Sequence, residues 1–173
     1  MDPQSFTLSI FTENQIGLLH RVTTIFTRRH INIESLTTSE SEIPGIYSFI
    51  IVINCTQKQV LNLGKQLDKI IGVIKSFVLT AEEVVHQELA LYKVSTEKLV
   101  NGTLEKIIRA NHARVLTIEP DFVMIEKTGH PGETLELLEE LAPFNVLGFS
   151  RSGTIAISRK PLNLKAYVAG ELT

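Results

Sequence analysis

The sequence predicts an α+β chain built as two successive ferredoxin-like modules. Each has the order β-α-β-β-α-β, with two helices packed on one face of a four-stranded antiparallel sheet. Three observations carry that expectation. Apolar spacing alternates between a period of two and intervals of three or four, and it does so in nearly the same order in both halves. A hairpin-like pattern between residues 31 and 55 argues against the uniform parallel crossovers of a single larger α/β sheet. Finally, 173 residues suffice for two small domains or one of medium size.

In the first half, Phe6, Leu8 and Ile10 alternate with polar residues and mark a strand over residues 6–12. A polar turn follows, Glu13-Asn14-Gln15, with Gly17 just beyond it. Leu18, Leu19, Val22, Ile25 and Phe26 then fall at helical intervals, with Asn14 a plausible capping residue near the start and Arg28-Arg29-His30 at the end. Residues 31–39 return to strand character. Residues 45–54, rich in Ile, Val, Tyr and Phe, form the clearest strand of the chain. Thr56 or Gln57 opens a second helix whose buried face is Val60, Leu61, Leu63, Leu67, Ile70 and Ile71. Gly64 weakens this helix, Gly72 ends it, and residues 73–79 close the module as a strand.

Helices protect only one face of such a sheet. Phe49 and Ile51 lie on one face of the central strand and Ile50 and Val52 on the other. Dimerisation, or packing against the second module, is therefore expected to cover the open face.

Residues 81–86 read as a strand tail or short linker. Leu89, Leu91 and Val94 begin the second repeat, which matches the first in the order of its elements and not in shared residues. Residues 97–111 have helical tendency through Leu99, Leu104, Ile107 and Ile108, interrupted at Asn101-Gly102. Residues 114–119 and 122–127 form a strand pair across Pro120-Asp121. Gly129 to Gly132 makes a turn that places Pro131 in the first turn of a helix carrying Leu135, Leu138 and Leu141, which Pro143 ends. Residues 146–149 and 154–158 are short and extended. The expected domains are thus residues 1–83, residues 84–160, and a peripheral or flexible tail over residues 161–173.

Composition narrows the function. With 17 basic and 19 acidic residues the formal charge is −2, so no basic excess points to nucleic acid. The single cysteine, Cys55, follows an Ile/Val run and reads as core packing. No run approaches the roughly 18 apolar residues of a membrane span, and the N-terminus lacks a secretory pattern, so a cytoplasmic location is expected. His20, His30, His86, His112 and His130 are scattered without metal-like spacing, so neither a metal nor a cofactor site is expected. Ser150-Arg151-Ser152-Gly153 reads as a turn, an interface arginine or an anion-receiving loop. The carboxylates of the ELLEEL run read as a solvated helix face, with Glu139-Glu140 able to meet a basic partner. No nucleophile–base arrangement, phosphate loop or dinucleotide fingerprint can be assembled, so no catalytic residues are expected.

The front turn is more informative. Glycine permits close backbone approach and a helix start offers unpaired N–H groups, which together can receive a carboxylate. If the Asn14–Gly17 turn meets Asn32-Ile33 of an adjacent subunit, asparagine oxygens could receive an ammonium group beside a small apolar pocket bounded by Leu18 or Ile33. A helix cap, a helix glycine and a strand-edge asparagine are the plainer roles of the same residues.

From ENQIGLLHRVTTIFTRRHINIESLT, through KQLDKIIGVIK and HQELAL, to SRSGTIAISR, the chain closely resembles the regulatory, or small, subunit family of acetolactate synthase, also called acetohydroxyacid synthase. The resemblance spans about residues 4–160. It implies that the first module is an ACT domain that pairs as a homodimer and places a small amino acid at the pair's interface. It also implies a separate catalytic subunit as partner, carrying thiamine diphosphate, Mg2+ and usually FAD, while this chain holds none of these. Feedback inhibition by valine or another branched-chain amino acid follows from the same likeness. The family's effector site carries over onto Asn14, Gly17, Leu18, Leu19, Asn32 and Ile33. His20 departs from the small polar residue of some relatives, and residues 97–111 depart from the family pattern. The alternatives are an ACT sensor serving another enzyme, a nucleic-acid module and an independent small enzyme.

Overall fold

Residues 6–12 of β1 (Gln4–Glu13) are all buried, and Phe6, Leu8 and Ile10 among them face a hydrophobic core. The strand lies between β3 (Ile46–Cys55) and β4 (Val73–Thr80), and β2 (Ile33–Glu40) forms the far edge, giving the order β2-β3-β1-β4. All three pairings are antiparallel. Helices α1 (Leu18–Arg28) and α2 (Gln57–Leu67) bury Val22, Phe26, Val60, Leu63 and Leu67 against Phe49, Ile51 and Ile53. In this computed structural model, which describes residues 2–97 and 102–171, the predicted β-α-β-β-α-β module is therefore present.

The helix starts differ in chemistry. Thr56 caps α2 with a reciprocal pair: its hydroxyl accepts from Gln59 N–H at 3.4 Å while the Gln59 side chain accepts from Thr56 N–H at 2.9 Å. The cap of α1 is Gly17 and not Asn14, with φ +81° and no side-chain hydrogen bond. Only glycine takes that left-handed conformation without steric cost, which is why the helix begins one turn later than an asparagine cap would place it. Gly64, which weakened the α2 pattern, is explained by packing. A Cβ there would come within 3.0 Å of Val78 Cγ2, so its absence lets α2 lie close to β4.

The second unit repeats the architecture. Its strands are β5 (Val84–Ser95), β6 (Arg114–Ile118), β7 (Phe122–Gly129) and β8 (Val146–Arg151), ordered β6-β7-β5-β8. Helix α3 (Thr103–Ala110) and helix α4 (Pro131–Leu141) cover the core of Ala90, Tyr92, Val94, Val123 and Ile125. Helix α3 begins after Gly102, which is left-handed at φ +66°, so the interruption seen in the sequence is a helix start. Leu99 and Asn101 lie outside the described residues. A further strand, β9 (Ile155–Ser158), pairs with β5.

The two compact units comprise residues 1–86 with 154–173, and residues 87–153. The C-terminal segment thus clusters with the first unit, and it reaches the sheet face opposite the helices. Thr154 N–H donates to Ser35 Oγ at 2.7 Å. Leu164, in α5 (Leu164–Val168), is buried, and the Tyr167 ring stands edge-on to Phe77 at 5.5 Å, with Phe77 in turn 6.1 Å from Phe11. Phe11 and Phe77 belong to the face away from Phe6, Leu8 and Ile10, because the register pairs Phe77 with Ser9. The chain's own C-terminus therefore covers part of the face that the sequence assigns to a dimer partner or to the second module.

Candidate functional site

The turn after β1 is tied down from both sides. Glu13 N–H donates to Gly72 O at 2.8 Å, and Asn14 N–H donates to Gly45 O at 3.2 Å. The Arg21 guanidinium reaches back from α1, donating to Ile71 O at 2.9 Å and to Gln15 Oε1 at 3.1 Å. Gly72 is also left-handed, at φ +93°, and a Cβ there would sit 3.1 Å from Gln15 Oε1 and 3.3 Å from Leu18 Cδ2. Gln15, Arg21, Gly45 and Gly72 are thus the residues that hold the turn. The sequence marks Gly72 only as the end of a helix and Gly45 only as the start of a strand, and their glycine identity is the signal it offers.

The expected site residues divide in two. Asn14 and Gly17 are exposed on the turn, and a Cβ at Gly17 would meet nothing within 4 Å, so space is open directly over the start of α1. Leu19 is 38% exposed, whereas Leu18 is buried and faces the core. Beside Leu19, Ile16 and Ile71 are largely exposed, which leaves an apolar rim around a polar turn. Asn32 is exposed and its Nδ2 donates to Glu34 Oε1 at 3.0 Å, while Ile33 is half-buried against the core. His20 is exposed in the first turn of α1, and its carbonyl accepts from Thr24 Oγ1 at 2.7 Å.

Strand register separates the two groups within one chain. Ile33 is level with Ile53, and Ile53 with Phe6, whereas the turn follows Glu13, which is level with Ile46. Seven strand positions separate Phe6 from Glu13, about 23 Å at the usual rise. Asn32 and Ile33 therefore stand at the end of the sheet opposite the turn. Only a second copy, rotated end for end, can set Asn32 beside Asn14 and Gly17.

A family model described as "AHAS small subunit-like ACT domain" matches residues 8–75, and one described as "Small subunit of acetolactate synthase" matches residues 87–160. An acetolactate synthase small subunit of Mycobacterium bovis is 34% identical over 161 residues, covering 93% of this chain and 96% of the relative. One of Bacillus subtilis is 33% identical over 153 residues, covering 88% and 89%. The chain belongs to the acetolactate synthase small-subunit family. The crystal structure of the Thermotoga maritima small subunit superposes with a TM-score of 0.83 at 25% identity, covering 92% of this chain and 99% of that one. The first module is accordingly an ACT domain, and the chain is a non-catalytic, regulatory component of its enzyme.

Among the described residues no group of three or more His, Cys, Asp or Glu side chains could hold a metal ion, and no helix is long and apolar enough to cross a membrane. Cys55 is buried beside the core, and burial pushes its thiol pKa up, which disfavours the nucleophilic thiolate. Arg151 of the SRSG stretch is an internal partner: it ends β8 and pairs with the buried Glu88 at 3.3 Å. Glu140 accepts from Asn111 Nδ2 at 2.9 Å, while Glu136 and Glu139 remain on the solvated face of α4.

Proposed function

We propose that two copies of this small subunit pair through their ACT domains and bind valine, or a related branched-chain amino acid, between them. Occupancy then alters the support that the pair gives to the thiamine-diphosphate-dependent catalytic subunit. The observation that carries the reading is the register: the Asn14–Gly17 turn and Asn32-Ile33 lie at opposite ends of one sheet. A two-fold axis satisfies both copies at once and creates two equivalent sites, because an isologous contact repeats itself. The strand that carries Ile33, β2, is an edge strand, so its outer side is placed to face the second copy.

Each part of the effector meets a matching group. The α-carboxylate lies over Gly17, where the start of α1 supplies main-chain N–H groups and a favourable dipole. The side-chain oxygens of Asn14 and of the partner's Asn32 receive the ammonium group. Leu19, Ile33 and the exposed Ile16 and Ile71 flank a short aliphatic side chain, with Leu18 forming the floor from within the core. Binding that differs between two arrangements of the pair by ~1–3 kcal/mol is enough to change the catalytic partner appreciably. The assembly acts in the cytoplasm, in branched-chain amino-acid biosynthesis.

Reconstitution with the cognate catalytic subunit tests this directly. Adding the small subunit raises acetohydroxy-acid formation, and valine, leucine or isoleucine lowers the stimulated rate. A stimulated rate flat across all three titrations removes the sensor role. Lack of any stimulation or binding favours an ACT regulator of some other enzyme.

A further inference from the structure

A second feature of the first unit lies in its helical layer. The C-terminal end of α1 and the facing side of α2 enclose an open groove of about 690 Å³. Arg28, Arg29, His30 and Lys69 line it together with Gln66, and none of its lining residues is acidic. Among the described residues, Arg28, Arg29 and Lys69 form no ion pair. Asp68, the acid adjoining Lys69 in sequence, is engaged elsewhere by Lys75 at 3.2 Å and by Ser76 Oγ at 2.6 Å. Gln66 Oε1 accepts from Arg29 Nε at 2.7 Å, which fixes that half-buried guanidinium across the gap between the helices.

Helix-end electrostatics account for Arg28, the basic residue in the last turn of α1. Lys69 likewise follows the C-cap of α2, but helix-end electrostatics do not account for the gathering of four basic groups around one groove in a chain of net charge −2. We propose that this groove docks an acidic segment of the catalytic subunit. The proposal rests on the regulatory reading above and names the contact through which that partner is held.

Main-chain chemistry distinguishes a protein carboxylate cluster from a compact phosphate. Phosphate sites are commonly built from unpaired main-chain N–H groups at helix starts or in nests. Here the N–H groups of Arg29, His30 and Ile31 are all spent on Phe26 and Thr27 carbonyls at 3.1 Å, and the helix end is the negative one. What remains is a spread of side-chain cations along an open groove. That arrangement suits several separated carboxylates, and such contacts act strongly on association rate and specificity. The Gly17 turn lies at the other end of α1, 11 residues or roughly 16 Å away, whereas His30 and Ile31 adjoin Asn32 of the proposed effector site in sequence, so the substitutions are confined to Arg28 and Lys69.

The test measures affinity for the purified catalytic subunit, at low and high salt, for the native small subunit and an Arg28→Glu/Lys69→Glu variant. Valine binding and thermal unfolding of each protein are followed in parallel. The expected result is a loss of affinity of roughly tenfold or more at low salt, with a flatter salt dependence and native valine binding. If the charge-reversed chain does not fold, the milder Arg28→Gln/Lys69→Gln pair is used and shows the same direction. Unchanged affinity and salt dependence overturn the docking site alone. Binding of tripolyphosphate that the variant loses, with catalytic-subunit affinity intact, overturns it in favour of a small-anion site. Failure of the native chain to bind the catalytic subunit overturns the regulatory reading and the groove proposal together.

Discussion

Under the proposed effector site, Gly17 supplies both the backbone geometry and the access. Its φ of +81° starts α1, and the space over it is open. Gly17→Asp therefore introduces no clash. Aspartate tolerates the left-handed region better than most residues, so the fold is retained at a cost of about 1–2 kcal/mol. The new carboxylate, however, stands where the effector's carboxylate is expected. Calorimetric titration should show valine affinity reduced by tenfold or more with catalytic-subunit binding preserved, and native valine affinity would contradict the assignment.

Tyr92 illustrates a residue with a purely architectural role. It is fully buried, and its hydroxyl donates to Thr134 O at 2.6 Å, while Thr134 Oγ1 donates to the buried Glu88. Burial, reinforced by the negative Glu88 and partly offset by Arg151, pushes its pKa from 10.0 up to about 12. Above pH 10 the unfolded chain gives up this phenolic proton while the folded unit keeps it. Stability is thus intact below pH 10 and falls as the pH rises towards about 12, by on the order of 2 kcal/mol. Absorbance of tyrosinate alongside unfolding curves should show this loss, and Tyr92→Phe should remove it. An unchanged alkaline slope in that variant would count against the buried phenol as its source.

Among the elements, those with long periodic patterns were legible and those held by distant contacts were not. The change from period two to helical spacing at Ile16 marks the β1–α1 junction without reference to the rest of the chain. Gly64 looked like a weakness because Val78, the neighbour that explains it, is 14 positions away. The tail was harder still. Helix α5 spans only five residues, too short for a periodic signal; of its two anchors, Leu164 becomes buried and Tyr167 meets Phe77 of β4 only after folding. Those anchors predict that Leu164→Ala weakens the first unit by about 2 kcal/mol. Chemical denaturation should show the shift, and deletion of residues 161–173 should lower stability at least as much. A deletion without effect would mean that the segment contributes nothing to the sheet face it covers.

For the whole molecule, the sequence supplied the two repeated modules and the turn, while likeness to a known family supplied the regulated enzyme. What it could not supply was the distance between the turn and Asn32, because strand register is a non-local property. Under the proposed effector site, register makes sharing a geometric requirement, because a single chain holds the turn and Asn32-Ile33 at opposite ends of its sheet. The halves should therefore complement between copies. Gly17→Asp spoils the turn, Asn32→Ala spoils the opposing half, and each variant alone binds valine poorly. In a mixed pair one interface site combines both lesions and the other combines the intact turn of one copy with the intact Asn32 of its partner. Calorimetric titration of valine into the isolated mixed pair is predicted to recover native affinity at half the native number of sites. Recovery of no site, with both variants folded and paired, would contradict a sensor assembled across two copies.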